Sequence, residues 1–288
     1  MAVFVQSAIL THKHLCMFSV RVNTLKVETD TFFSRVSLRF PECSFSRVAW
    51  YADAFVLDGI SREEFLESEF VKEGFCYLQN LSSMIPAIVL APQSDERVLD
   101  LCAAPGSKTT QLSQLMNNTG MIIANDSSRA RLFKLRAILE RYGVSNVCLH
   151  HGVGQTLWRK RTLSCFSEEF SPLAGFDRVL VDVPCSMDQA YAPKRLRPLV
   201  TLQKKLLRSA FLMARVGGIV VYSTCTNEEK ENEDVVLWAL TKCPNMHLDT
   251  FSIEGGEREW QQNKGMLRIS KKEPYESFFV AKFVREGE

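Results

Sequence analysis

Two short stretches of this chain hold residues able to do covalent chemistry. "RVLVDVPCS" (178–186) is an apolar run that ends on Asp182, Val183, Pro184 and Cys185, and "GGIVVYSTCT" (217–226) ends in the same way on Cys225. A thiolate is a nucleophile and a carboxylate can hold or release a proton, so two thiols and one acid at strand ends are the parts of a nucleophilic site. An ordinary thiol is only a few per cent ionised near pH 7, so such a site needs a positive field. Lys108, in "DLCAAPGSKT" (100–109), can supply it. Pro184 stiffens the turn that carries Cys185 and limits misplacement of reacting atoms. The competing view is that both cysteines are packed core thiols, since free cysteine is among the most buried residue types. One strand-end cysteine would fit that view; two on neighbouring strand ends favour chemistry. Cys102 reads as packing.

The elements that must position these residues follow from the apolar rhythm. Residues 96–116 read as strand, tight turn and helix. "GMIIAND" (120–126) is a second strand, followed by a helix over 128–142, and "SNVCLHH" (145–151) is a third strand. "FDRVLVDVPC" (176–185) is a fourth strand. "TLQKKLLRSAFLMARVGG" (201–218) is a helix stopped by paired glycines, and "IVVYSTC" (219–225) is a fifth strand. Strands alternating with helices predict an α/β fold with a mostly parallel central sheet covered on both faces. Ligands of such sheets bind beyond the carboxyl ends of the strands, where Leu101–Cys102, Asp126, Asp182–Cys185 and Thr224–Cys225 all fall. Residues 1–92 read as a smaller α+β region. It holds an alternating strand at 18–26, a helix starting at Thr29 or Asp30, and a strand leading into a helix over 74–92. The expected division is therefore 1–92 and 93–288.

Composition narrows the classes. The chain has 288 residues, 46% hydrophobic and 24% charged, with a formal charge of +2. That is an ordinary globular balance, which permits a nucleic-acid partner without arguing for one. Nine cysteines stand singly, without the paired spacing of a zinc site or a disulfide framework, so no metal and a reducing, cytoplasmic setting are expected. No apolar run approaches the roughly 18 residues of a membrane span, and the N-terminus lacks the marks of a signal peptide.

The 102–108 loop is rich in small residues. Ala103, Ala104 and Gly106 let a ligand approach the backbone, and the helix that follows offers free N–H groups. Its spacing matches neither GxxxxGK[ST] nor GxGxxG, which disfavours a nucleoside triphosphate or a dinucleotide. Asp126, at the next strand end, can accept from ribose hydroxyls, although a helix N-cap carboxylate would look the same.

Together, "DLCAAPGSKTTQL", "AND", "DRVLVDVPCS" and "VYSTCTNEEKENEDVV", in that order, resemble the NOL/NOP/Sun family of S-adenosylmethionine-dependent RNA cytosine-C5 methyltransferases. "RVNTLK" and "YLQNLSSMIPAIVL" extend the likeness upstream, while residues 30–70 match weakly. The likeness is greatest to bacterial enzymes acting on small-subunit ribosomal RNA. The resemblance implies a Rossmann-like methyltransferase fold, with residues 93–288 catalytic and 1–92 gripping RNA. It implies S-adenosylmethionine as cofactor, cradled by Cys102, Ala103, Ala104, Pro105, Gly106, Ser107 and Lys108. Asp126 would take the ribose, and Arg131 and Asp182 would lend support. Cysteine adding to C6 makes C5 nucleophilic. Cys225, in the Thr-Cys pair, would be that nucleophile, and Cys185 would assist product release. Asp182, protonated against N3, and Lys108 would stabilise the adduct. DNA cytosine methyltransferases instead use a Pro-Cys thiol, which would nominate Cys185.

Two positions depart from the family pattern. Val153 stands where an Asp usually meets the adenine amino group, leaving a backbone carbonyl or His151 to substitute. Met187 stands at a usual glycine. Basic residues cluster at "WRKR" (158–161) and in "APKRLRP" (192–198), the latter read as a loop that could close over the target base. The acids after Cys225 read as helix-start residues favoured by the dipole. The expected partner is RNA, ribosomal rather than transfer RNA, with no membrane, no metal and a monomeric chain. The alternatives are transfer RNA as substrate, the same chemistry on DNA, and an inactive RNA-binding assembly factor.

Overall fold

The computed structural model describes residues 17–159, 163–165, 168–170, 175–188, 193–257 and 260–287. The N-terminal part contains β1 (Phe18–Val22), α1 (Thr29–Arg39), β2 (Ser44–Val48), β3 (Tyr51–Asp58), α2 (Arg62–Leu66), α3 (Glu69–Lys72) and β4 (Cys76–Leu78). Its four strands pair antiparallel in the order β2-β3-β1-β4. Phe32, Phe40, Phe55, Phe65 and Phe70 belong to its core, with Phe18 and Phe33 packed alongside. The aromatic residues of this region thus hold the small sheet to its helices.

Next come α4 (Leu81–Leu90), β5 (Arg97–Asp100), α5 (Ser107–Leu115), β6 (Met121–Asp126), α6 (Arg129–Tyr142), β7 (Val147–His151), β8 (Leu163–Cys165), β9 (Glu168–Phe170) and β10 (Phe176–Asp182). They are followed by α7 (Pro193–Met213), β11 (Ala214–Thr224), α8 (Glu233–Lys242), β12 (Met246–Leu248), β13 (Gln261–Asn263), β14 (Met266–Ile269) and β15 (Phe278–Arg285). The large sheet runs β13-β14-β15-β11-β10-β5-β6-β7, with β12 added on β15, and β8–β9 form a separate pair. From β11 to β7 all neighbours are parallel, and β15 joins β11 antiparallel. This is the expected α/β, Rossmann-like arrangement. Strand order reverses between β5 and β10, so a crevice must open at their carboxyl ends. The small-residue loop after β5 and the Asp182–Cys185 turn after β10 meet there.

Helices cover both faces. Leu206, Leu207, Ala210 and Phe211 of α7 and Val235, Val236 and Ala239 of α8 pack on one face. Leu81, Met84, Ile85 and Leu90 of α4, with Leu112 of α5, pack on the other. α4 starts cleanly because the Asn80 side chain accepts from the Ser82 N–H at 2.9 Å. The small sheet is tied to the large one by a buried cation. Arg21, on β1, donates to Gln79 Oε1 (3.0 Å), to Thr110 Oγ1 (2.8 Å), to the Ser107 carbonyl (3.2 Å) and to Gln114 Oε1. Burial lowers its pKa, and these acceptors replace its lost water.

Three local readings change. α7 begins at Pro193, so the basic stretch read as a loop is, from residue 193 on, the start of a helix; proline suits a first helical position. The paired glycines do not end that helix but lie inside β11. A Cβ on Gly218 would come within 2.8 Å of the Phe176 carbonyl, so the tight β10–β11 approach requires glycine there. Finally, Cys148 is disulfide-bonded, unlike the free thiol expected of a reducing setting. No helix among the described residues is long and apolar enough to cross a membrane.

Candidate active site

The loop after β5 is built on Asp100. This carboxylate is buried at the strand end, where the Thr109 hydroxyl donates to its Oδ2 at 2.7 Å. Burial dominates and pushes its carboxyl up to about 7, with the Thr109 hydroxyl and the Cys102 N–H opposing it, while its Oδ1 makes no full hydrogen bond among the described residues. Ala103 and Ala104 are buried within the loop, and Gly106 turns it into α5 at φ +122°. A Cβ there would meet the Leu135 side-chain tip at 2.4 Å, and the φ itself is one L side chains rarely adopt, so the turn favours glycine. Burial pushes the Cys102 thiol up, with the nearby acids adding to the effect; it is held as a neutral thiol, in keeping with a packing role.

Asp126 ends β6, 2% exposed. Its Oδ1 accepts from the Ser128 N–H at 2.9 Å and its Oδ2 pairs with Arg131 at 3.1 Å. Arg131 also donates to the Ala104 carbonyl, so one guanidinium ties the acid to the small-residue loop. A small-residue loop beside two buried acids, one with an unpartnered oxygen, fits a nucleoside that carries an ammonium group and a ribose diol. At the position where the resemblance expects the adenine contact, Val153 is 50% exposed. His151 is exposed, with its Nε2 3.1 Å from the Ser127 carbonyl and its Nδ1 3.5 Å from Arg129 Nε. Asn125 Oδ1, buried and without a partner, lies beside Gly152.

On the other side of the crevice, Cys185 Sγ and Cys225 Sγ lie 3.2 Å apart. Lys108 Nζ, in the first turn of α5, pairs with Asp182 Oδ2 at 2.8 Å and donates to Ser83 Oγ at 2.9 Å. The Ser223 hydroxyl donates to Asp182 Oδ1 at 2.7 Å. Cys225, Asp182 and Lys108 line one cavity of about 370 Å³, with Tyr77, Asn80 and Phe278 among its walls. The two thiols titrate as a pair. Donation from the Cys185 S–H lowers Cys225, assisted by Lys108, and the same contact together with burial raises Cys185. The Cys225 N–H points at Cys185 Sγ (3.3 Å) and opposes this. Burial and the Asp182 charge also raise Cys225, but the S–H contact, with Lys108 adding to it, leaves Cys225 lowered and Cys185 raised.

The turn after Cys185 explains one departure noted in the sequence. Met187 lies at φ +55°, a conformation that favours glycine. The basic cluster at 158–161 divides: Trp158 packs on the core with Arg159 over its ring, and residues 160 and 161 lie outside the described residues. Side chains 194 and 195 of the second cluster also lie outside them. Thus the crevice brings together Cys225, Cys185, Asp182 and Lys108, with the 102–108 loop and Asp126 beside them. Sequence reading missed Asp100, whose position at a strand end was the available signal. It also missed Ser83, Tyr77 and Asn80, which reach the cavity from the N-terminal side and carry no local mark.

Residues 87–284 match a family model described as 16S rRNA methyltransferase RsmB/F. Ribosomal RNA small subunit methyltransferase F of Escherichia coli (strain K12) is 34% identical over 283 residues, covering 92% of this chain and 56% of that protein. Its namesake in Shewanella denitrificans is 36% identical over 283 residues, covering 92% and 54%. This chain therefore spans just over half the length of these curated relatives. Among solved structures, a methyltransferase homolog protein from Pyrococcus horikoshii superposes with a TM-score of 0.78 at 31% identity, covering 95% of this chain and 87% of that one. NSun6 from Pyrococcus horikoshii shares the fold, with a TM-score of 0.79 at 23% identity and coverage of 95% and 92%.

Proposed function

This chain belongs to the 16S rRNA methyltransferase RsmB/F family, and we propose that it methylates C5 of a cytosine in small-subunit ribosomal RNA through a covalent cysteine adduct. The observation that carries this reading is the Cys185–Cys225 pair, with sulfurs 3.2 Å apart, beside a Lys108–Asp182 ion pair in one crevice. When bound, S-adenosylmethionine supplies an electrophilic methyl group on a sulfonium. Asp100, the 102–108 loop and Asp126, supported by Arg131, would hold it.

The cavity beside Cys225 takes the target base, extruded from its stack at a cost of a few kcal/mol that contacts elsewhere must offset. The Cys225 thiolate adds to C6, which turns C5 into a nucleophile. Negative charge develops at N3, and Asp182, fed a proton by Lys108, neutralises it. Once C5 carries its new substituent, its proton leaves to water, the C6–Sγ bond breaks as the C5–C6 double bond re-forms, and the N3 proton returns through Asp182 to Lys108. Cys225 departs as a thiolate. The Cys185 S–H donates to this leaving sulfur, which is how Cys185 assists release. The N-terminal sheet, locked to α5 by Arg21, would contribute to the RNA grip.

Labelled S-adenosylmethionine with 16S rRNA, transfer RNA or DNA tests the reading. Label in 16S rRNA, mapped to one cytosine by bisulfite sequencing and absent with Cys225→Ala, is the expected result. Label confined to transfer RNA or DNA would reassign the substrate. No label in any of them would favour an inactive binding factor.

A further inference from the structure

Neither thiol holds its own position: the residues flanking both are tied to one dipeptide. Glu231 is fully buried, and among the described residues it makes no ion pair. Its carboxylate accepts from the Ser186 N–H at 3.1 and 3.2 Å, from the Ser186 hydroxyl, and from Gln203 Nε2 at 2.7 Å. The same Gln203 amide donates to the Pro184 carbonyl at 2.9 Å. The peptide groups on either side of Cys185 are thus both pinned by the Glu231–Gln203 pair. Asn232, equally buried, does the corresponding work for Cys225. Its Oδ1 accepts from the Thr224 hydroxyl at 2.6 Å and its Nδ2 donates to the Thr226 carbonyl at 2.9 Å. The dipeptide itself is anchored to β11, where the Tyr222 hydroxyl donates to the Glu231 carbonyl at 2.6 Å.

A helix-dipole role does not account for this arrangement. An acid serving the dipole gains from exposure near the helix start, whereas Glu231 turns inward and gives up its water for three donors. We infer that Glu231 and Asn232 are positioning residues for the two thiols, each governing a different half of the reaction. This rests on the cysteine roles proposed above. Asn232 holds the attacking sulfur, so its loss slows adduct formation. Glu231 holds the sulfur whose S–H donates to the leaving thiolate, so its loss lets the adduct form and then persist.

The test uses the full chain with in vitro transcribed 16S rRNA and S-adenosylmethionine. Two isosteric variants each break part of one clamp: Glu231→Gln, and Asn232→Asp, which turns the Nδ2 donor into an acceptor facing the Thr226 carbonyl. Misplacing a reacting group by about 1 Å can cost on the order of 100-fold, so both should turn over far more slowly than wild type. In denaturing electrophoresis Glu231→Gln should accumulate a protein–RNA adduct, and Asn232→Asp should not. Thermal melting establishes that each variant is folded. If either is not, Ser186→Ala and Thr224→Val remove one bond from the respective clamps and carry the same expectations at smaller amplitude. Equal loss of adduct formation and turnover in both variants, or wild-type behaviour in both, would overturn the inference. Cys185→Ala serves as the control. If it accumulates no adduct, the reading of the cysteines fails; if it does and Glu231→Gln does not, only the clamp fails.

Discussion

Cys185 and Cys225 end neighbouring parallel strands, touch through their sulfurs, and yet sit in different surroundings. Cys225 borders the cavity, with Lys108 and Asp182 among the other residues lining it. Cys185 stands behind it, its turn fastened through Ser186 to Glu231 and through the Pro184 carbonyl to Gln203. On the proposed reading, one residue type takes two roles according to which groups face it. A thiol near an ammonium and an S–H donor is favoured as the anion, and its neighbour keeps the proton. The contrast teaches that reactivity here belongs to the pair, and each variant that separates the two thiols tests it.

The largest separation is removal of the nucleophile. Cys225→Ala should abolish both methylation of 16S rRNA and the adduct, because no other described thiol lines that cavity. Cys185→Ala should retain adduct formation and lose release, so that protein migrates with RNA under denaturing conditions. A swap of these two outcomes would transfer the nucleophile's role to Cys185. Next in size is the positive field. Lys108→Met keeps the stem and removes the charge, and should slow single-turnover methylation by on the order of 10²-fold. An unchanged rate would mean that Lys108 only braces Asp182 and Ser83.

The two thiols were legible in the sequence because their setting is local: an apolar run, a break, a reactive side chain. The 102–108 loop and Asp126 were legible for the same reason, and so was the alternation of strands and helices. What could not be read is whatever depends on distant partners. Glu231 and Asn232 stand in an acidic run that resembles a helix start, and nothing nearby reveals that the Glu231 carboxylate reaches Ser186, 45 residues earlier. Arg21 reads as one polar residue of an alternating strand, yet it is buried because Gln114 and Thr110 wait for it about ninety residues later. The glycines at 217 and 218 were mistaken for a helix stop. Glycine marks a break by conformation and a close approach by the absence of Cβ, and only the paired strand tells the two apart.

A smaller effect probes how the pair shares its proton. The Cys185 S–H lowers Cys225, so adduct formation by the wild type should persist below the ordinary thiol range. The rate rises with pH as Cys225 ionises. In Cys185→Ala the donor is gone, Cys225 titrates higher, and the acid limb of single-turnover adduct formation should move to higher pH. Cys185→Ser keeps an O–H donor and should fall between the two. Superimposable limbs for all three proteins would show that Lys108 alone sets the charge on Cys225.

The smallest effect lies on the cofactor side and is read in stability, not in rate. Asp100 has its carboxyl raised to about 7 by burial, against about 3.9 in an unfolded chain. Between these values the unfolded chain has lost its proton while the folded one keeps it. Stability must therefore fall as pH rises from about 4 to about 7 and level off above, by a few kcal/mol at most. Asp100→Asn cannot ionise and should lack this contribution. Without cofactor, the melting temperatures of the two proteins should therefore diverge with rising pH, the variant becoming relatively more stable near pH 8. Parallel curves across that range would mean that the unpartnered Oδ1 finds a donor in solution, which keeps Asp100 ionised at neutral pH.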